Sequence, residues 1–344
     1  MKKSLLTILA VLLAFAAPAL SLDIGDKALP ISAESWVTGA EVDPTAADGK
    51  TIYLVEVWSV TCPPCVQTIP ILNDLQKRYA DQGFKIVSFT SDSLEEVEPF
   101  LEEHPMEYSS FIDKDGETTI NYMAADNRNT IPHAFMFDKD GNLIWEGNPL
   151  DNLEERLKSV LNGEYTLDKA VAIRDARENL QDAFSGQDVS GMIKALEELE
   201  RLEPDNGQYY QVHYRILTEI GYGDHESVQK LMNDWYEGCK DRVDALMVLS
   251  VLAIDQGPPA YRNPELALAA AKRAYSLDSS SKIEAGLNLA ETYKSIGRVD
   301  LSLQLVQILA KDAPAERIEI MTSIENFYHR LVELGKNPDA EYKP

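Results

Sequence analysis

The sequence predicts an α/β domain built on a mixed β-sheet, followed by an all-α domain of helical repeats. Three observations carry this reading. Strand-like and helix-like segments alternate from Asp23 to about Gly163. After Gly163 the strand patterns vanish, and helical segments run to the end, broken at EPDNG, IGYGD, DQGPPAYRNP, LDSSS, IGRVD and KDAP. Within that second half, TEIGYGDHESVQKLM and KSIGRVDLSLQLVQ align Ile220 with Ile296, Gly221 with Gly297 and Asp224 with Asp300. The chain's 344 residues exceed what one hydrophobic core usually organises, so two domains are expected.

The first segment, MKKSLLTILAVLLAFAAPALS, opens with Lys2 and Lys3 and continues as an uninterrupted apolar run from Leu5 to Ala17. That run is about 13 residues, short of the roughly 20 that span a bilayer. Ala17-Pro18-Ala19 and Ala19-Leu20-Ser21 offer small residues for a signal peptidase, so residues 1–21 read as a cleaved secretory signal. No cysteine precedes Cys62, which argues against a lipoprotein anchor, and no later segment is long and apolar enough to cross a membrane. The expected product is exported, periplasmic and soluble once the signal is removed.

Residues 22–163 then read as the α/β domain. TIYLVEVWSV, Thr51 to Val60, is a buried strand by its Ile, Val, Tyr and Trp content. The next helix carries Val66, Ile69, Leu72, Leu75 and Tyr79 at helical spacing and stops at Gly83. FKIVSFT, Phe84 to Thr90, is the second strand, and Ser93 is a plausible N-cap for the helix after it. The acidic run from Ser93 to His104 reads as a solvated helix face. AFMFDKDGNLIWEG forms a hairpin around Asp140-Gly141, a turn pair that supplies positive φ. The amphipathic LDNLEERLKSVLNG closes the domain.

In residues 164–344, the alignment above corresponds to two units of about 38 residues. LNLAETYKSIGRVDLSLQLVQILAKDAP resembles the tetratricopeptide pattern through Leu289, Ala290, Tyr293, Gly297, Ser302, Leu309 and Pro314, and ELALAAAKRAYSLDS resembles the second helix of the unit before. A formal charge of −25, from 32 Lys and Arg against 57 Asp and Glu, argues against nucleic acid and anionic membrane surfaces as partners. A protein partner is expected for the helical domain.

The chemistry concentrates in EVWSVTCPPC. Three cysteines are too few for a disulfide-stapled scaffold. Cys62 and Cys65 can pair, leaving Cys239 as a small half-buried helix residue. A strand before Cys62 and a helix after Cys65 put the pair at a helix N-terminus, where free N–H groups and the helix dipole stabilise a thiolate. Pro63 loses no needed hydrogen bond at the helix start, and Pro64 stiffens the loop. A C-x-x-C in that setting, in an exported chain, points to dithiol–disulfide chemistry.

At this point the sequence resembles the thioredoxin-like proteins of the TlpA/ResA type, over about Leu22 to Gly163. LDIGDKALP resembles their lead-in, YLVEVWSVTCPPC their active-site strand and loop, and IPHAFMFDKDGNLIWEG their cis-proline hairpin. The resemblance implies a thioredoxin-like fold with Cys62 as attacking thiol and Cys65 as resolving thiol. It implies a cis Pro132 facing the disulfide, and a substrate surface formed by Ile131, Pro63, Pro64 and Trp58. Thr61 departs from the pattern, which usually has Trp before the first cysteine. Glu56 stands where thioredoxins often carry a buried acid; there it would take the Cys65 proton, with its pKa raised by burial.

Two rivals share the motif. In a peroxiredoxin, Ser59 fits the pattern before the cysteine, but Val55 stands where Pro is needed. In a copper-binding protein, Cys62, Cys65 and His133 would offer soft ligands to Cu(I), although His133 reads first as an ordinary strand residue beside the site. The reading adopted is a thiol–disulfide oxidoreductase that needs no cofactor beyond its own disulfide. Its partners would be protein thiols or disulfides and an upstream redox protein.

Overall fold

The computed structural model describes residues 22–124, 130–221, 223–256, 259–278 and 282–336. The segment read as a signal, residues 1–21, lies outside the described residues. The strand IYLVEV becomes β2 (Ile52–Val57), with every residue buried. It is central, parallel to β3 (Phe84–Thr90) and antiparallel to β5 (His133–Phe137). Such a strand has both faces covered, so it tolerates no polar alternation. The full sheet runs β1 (Ala33–Thr38), β4 (Ser109–Asp113), β3, β2, β5, β6 (Leu143–Gly147). β4 is parallel to β3, while β1 and β6 pair antiparallel at the two edges.

The crossovers are α1 (Pro63–Tyr79) and α2 (Leu94–Glu103), with α3 (Glu117–Met123) after β4 and α4 (Leu153–Leu161) after β6. α1 buries Ile69, Leu72, Leu75 and Tyr79 as its spacing predicts. Gly83 ends the segment with φ +84, and a Cβ there would meet the Lys50 carbonyl at 2.5 Å. At α2 the Glu96 carboxylate accepts from the Ser93 N–H at 3.0 Å and from its hydroxyl at 2.7 Å. Arg78, near the end of α1, holds Glu154 of α4 through two bonds of 2.8 and 2.9 Å. In the hairpin, Asp138 Oδ1 accepts the N–H groups of Asp140 and Asn142, and Gly141 takes φ +80.

Side-chain alternation divides the sheet. Tyr53, Val55, Val57, Val87, Phe89, Phe111, Phe135 and Phe137 build one apolar core. Glu56 therefore projects from the opposite face, in register with Ser88 on β3 and Ala134 on β5.

Two features differ from the sequence reading. The strand expected to reach Val60 ends at Val57, because Val57 is the last residue paired with both neighbours and the chain then turns into α1. The sequence reading also lacked β1, β4 and α3. β4, SSFID, is fully buried yet carries Ser109, Ser110 and Asp113, whose polar groups find their partners outside the strand. Ser110 Oγ accepts from Ser88 at 2.8 Å and from the Trp58 indole at 3.3 Å. Asp113 accepts the backbone N–H groups of Thr118 and Thr119 at the start of α3.

The chain divides into two compact units between Arg174 and Asp175, within α5 (Leu167–Ser185). The second unit contains α6 (Val189–Leu202), α7 (Gly207–Glu219), α8 (His225–Gly238), α9 (Val243–Val251), α10 (Pro264–Leu277), α11 (Ile283–Ser295), α12 (Val299–Lys311) and α13 (Ile318–Lys336). Successive helices pack on one another, and α9 also meets α7 and α11. Gly221 and Gly297 stand at equivalent places after α7 and α11, with φ +79 and +81, the left-handed residue that commonly follows a helix. Trp235 is fully buried in this unit's core, its ring 6.1 Å from that of Tyr210. Among the described residues, no helix is long and apolar enough to cross a membrane.

Candidate active site

Beyond Val57 the chain makes a tight turn, with the Cys62 N–H on the Ser59 carbonyl at 3.1 Å. Cys62 is the N-cap of α1, and Pro63 and Pro64 begin the helix. Prolines have no N–H, so two of the four donors normally free at a helix start are missing. The Cys65 N–H is the one aimed at sulfur, reaching Cys62 Sγ at 3.2 Å. It would donate more strongly to a thiolate, which favours ionisation of Cys62.

Cys62 and Cys65 are joined as a disulfide, with Cα atoms 5.3 Å apart. Cys62 is the more accessible, 8% exposed against 1% for Cys65. Pro63 and Pro64 are exposed beside them. The Ile131–Pro132 peptide is cis. Ile131 is half-buried, Pro132 is buried, and the Ile131 carbonyl lies 3.7 Å from Cys62 Sγ. The structure thus brings Cys62, Cys65, Ile131 and Pro132 together.

Glu56 is 1% exposed, and neither carboxylate oxygen has a hydrogen-bond partner. Burial raises its pKa from 4.5 to about 8, because the charged form has lost water without gaining a donor. The nearby Thr68 hydroxyl opposes the shift. Its proton, however, is engaged on the Cys65 carbonyl at 2.8 Å, so burial prevails. Thr68 lies three residues after Cys65, in the first turns of α1.

Trp58 must be corrected. Expected on the substrate surface, it is 2% exposed. Its indole donates to Ser110 and its ring stacks on Phe100 at 5.3 Å, so it packs inside the domain instead of facing a substrate. A large apolar ring at the end of a central strand gains more from that burial than from solvent contact.

His133 opens β5 with Nε2 3.6 Å from Glu146 Oε2 and its ring against Phe135. Among the described residues, no group of three or more His, Cys, Asp or Glu is placed to hold a metal ion. Cys239 is fully buried at the end of α8. Burial pushes its thiol up to about 12, and Sγ lies 3.6 Å from the Pro204 carbonyl.

Two residues near the site escaped the sequence reading. Tyr108 is buried with an unpartnered hydroxyl, and burial and the Glu56 charge both hold its pKa well above the usual phenol value. Asp92 accepts the Val60 N–H at 2.7 Å and the Ser59 hydroxyl at 3.2 Å. The available signal for Asp92 was its place just past the carboxyl end of a parallel strand, where α/β sheets build their sites. Nothing in the sequence around Tyr108 marks it.

The Redoxin family model matches residues 23–161. Thiol-disulfide oxidoreductase ResA of Bacillus thuringiensis subsp. konkukian (strain 97-27) is 28% identical over 143 residues, covering 40% of this chain and 79% of that protein. Thiol-disulfide oxidoreductase YkuV of Bacillus subtilis (strain 168) is 26% identical over 136 residues, 37% of this chain and 88% of that one. A solved structure described as a putative thiol:disulfide interchange protein DsbE from Chlorobium tepidum is 26% identical, with a TM-score of 0.35, covering 41% of this chain and 99% of its own. With a CPPC disulfide at the head of the first crossover helix, residues 23–161 form a thioredoxin-like thiol:disulfide oxidoreductase domain similar to those of the TlpA/ResA type.

Proposed function

We propose that this is an exported oxidoreductase that exchanges dithiol and disulfide with protein substrates through Cys62 and Cys65. The observation that carries this is the placement of Cys62: the more exposed sulfur, at a helix N-terminus, against the Cys65 N–H and beside the Ile131 carbonyl. In the reducing direction, the Cys62 thiolate attacks one sulfur of a substrate disulfide. A mixed disulfide forms, and one substrate thiolate leaves. The Cys65 thiol then gives its proton to Glu56 and attacks Cys62 Sγ. The Cys62–Cys65 bond closes, the second substrate thiolate leaves, and the substrate has gained two electrons. An upstream redox protein would reopen the bond. A folded pKa of about 8 for Glu56 is close to the roughly 8.5 of an ordinary thiol, which suits it to receive that proton.

Ile131, whose backbone flanks the sulfurs, and the exposed Pro63 and Pro64 would form the substrate surface. Export rests on the residue pattern of 1–21, and the domains are taken as 22–163 and 164–344. The helical region is read as tetratricopeptide-like, supported by the successive packing of α7 to α12 and by the matching glycines Gly221 and Gly297. Its role would be to bind a protein partner.

The test is turnover of a protein disulfide such as insulin, together with equilibration of the pair against glutathione. Catalysed reduction and a single two-electron transition support the reading; no exchange at any poise refutes it. Cys239→Ser should leave turnover unchanged, since a buried thiol pushed up to about 12 is not a nucleophile at neutral pH. A loss of turnover there would reveal a third redox sulfur.

A further inference from the structure

We infer that Asp92 is a positioning residue that sets the reactivity of Cys62 by clamping the turn from Ser59 to Thr61. The inference rests on the exchange role proposed for Cys62. Of the five backbone N–H groups between β2 and α1, the last three are all held: Val60 donates to Asp92 Oδ2 at 2.7 Å, Thr61 to Ser59 Oγ at 3.2 Å, and Cys62 to the Ser59 carbonyl at 3.1 Å. The Ser59 hydroxyl in turn donates to Asp92 Oδ1 at 3.2 Å. One carboxylate therefore holds the first N–H directly and the second through a single hydroxyl. The carboxylate is itself held, because Thr90 Oγ1 donates to Oδ2 at 2.7 Å and accepts the Asp92 N–H at 3.1 Å.

The consequence for chemistry follows from the prolines. Since Pro63 and Pro64 bring no donors, stabilisation of a Cys62 thiolate depends heavily on the Cys65 N–H at 3.2 Å. Sγ keeps that contact only while the turn delivers Cys62 in the N-cap geometry. The other titratable groups at this end of the sheet include Glu56 on β2, Asp113 on β4, His133 on β5 and Glu146 on β6, and the α2 first turn brings Glu95 and Glu96, the latter sensing the Asp92 charge. α1 has no acidic residue in its first turn, and its Cys65 titrates only once reduced.

Two variants separate the clamp from the charge. Asp92→Asn removes the negative charge but can keep an oxygen on the Val60 N–H and an amide toward Ser59. Asp92→Ala removes both charge and acceptor. The measurement is the pH dependence of iodoacetamide alkylation of Cys62 in the reduced full chain, read with the thermal midpoint. Alkylation of Asp92→Ala below the thiol pKa should be about tenfold slower than that of Asp92→Asn, with rates converging at high pH. Coincident profiles would overturn the inference, even if Asp92→Ala melts lower. Should Asp92→Ala not fold, Ser59→Ala must displace the profile in the same direction, and an unmoved profile there overturns it equally. If Cys62 of the unaltered protein is not the faster thiol, the exchange reading has failed instead.

Discussion

Replacing Cys62 by Ser is expected to reduce disulfide exchange to the uncatalysed rate, whereas replacing Cys65 by Ser should preserve the first step and block the second. The asymmetry follows from position. Cys62 Sγ is at the helix N-cap with the Cys65 N–H against it, while Cys65 is 1% exposed and meets only a sulfur already joined to Cys62. A hydroxyl at 62 forms no disulfide and ionises far above neutral pH. A hydroxyl at 65 leaves the mixed disulfide without its resolving thiol, so the variant should accumulate stoichiometric covalent complexes with substrate. Non-reducing electrophoresis with mass analysis reads both outcomes. Complexes accumulating in Cys62→Ser rather than in Cys65→Ser would reverse the assignment.

Glu56→Gln should alter both catalysis and stability. Resolution of the mixed disulfide should slow by about 10²-fold, the low end for a lost general base, while formation of the mixed disulfide stays within a few-fold. Stability carries the second signature. The carboxyl titrates near 4.5 when solvated and at about 8 in the fold. Below the lower value both states hold the proton and burial carries no charge penalty. Between the two values the unfolded chain releases its proton and the folded chain does not, so stability falls as pH rises. Above the upper value the penalty is complete, on the order of 5 kcal/mol. Denaturant midpoints from pH 4 to 9 should therefore diverge, with Glu56→Gln gaining on the unaltered protein by several kcal/mol toward high pH. Parallel curves would mean that Glu56 is not buried as an unpartnered acid.

How much of this is legible in the sequence depends on whether a residue's partners are local. Glu56 is readable because Tyr53, Leu54, Val55 and Val57 around it mark a strand with both faces covered, and a carboxyl in such a strand has nowhere to go. The motif is readable because its two prolines and two cysteines interrupt a strand–helix junction. β4 is not readable. Its Ser110 and Asp113 look like surface residues until Trp58, Ser88 and the start of α3 supply partners from outside the segment. Trp58 misleads for the same reason, since its burial depends on Phe100 and Ser110, distant in sequence. Asp92 resembles any acidic loop residue until β3 carries it to the turn before Cys62. In the helical half, Gly221 and Gly297 are legible as helix-end glycines because the left-handed turn after a helix is a local requirement.

The central claim is that Cys62, not Cys65, is the attacking sulfur. It is tested most directly by reducing the full chain and alkylating it at neutral pH with less than one equivalent of reagent. The labelled cysteine is then located by peptide mass mapping. Label should collect on Cys62 well ahead of Cys65, with Cys239 protected until the chain unfolds; equal labelling of the pair, or label first at Cys65, would contradict the account.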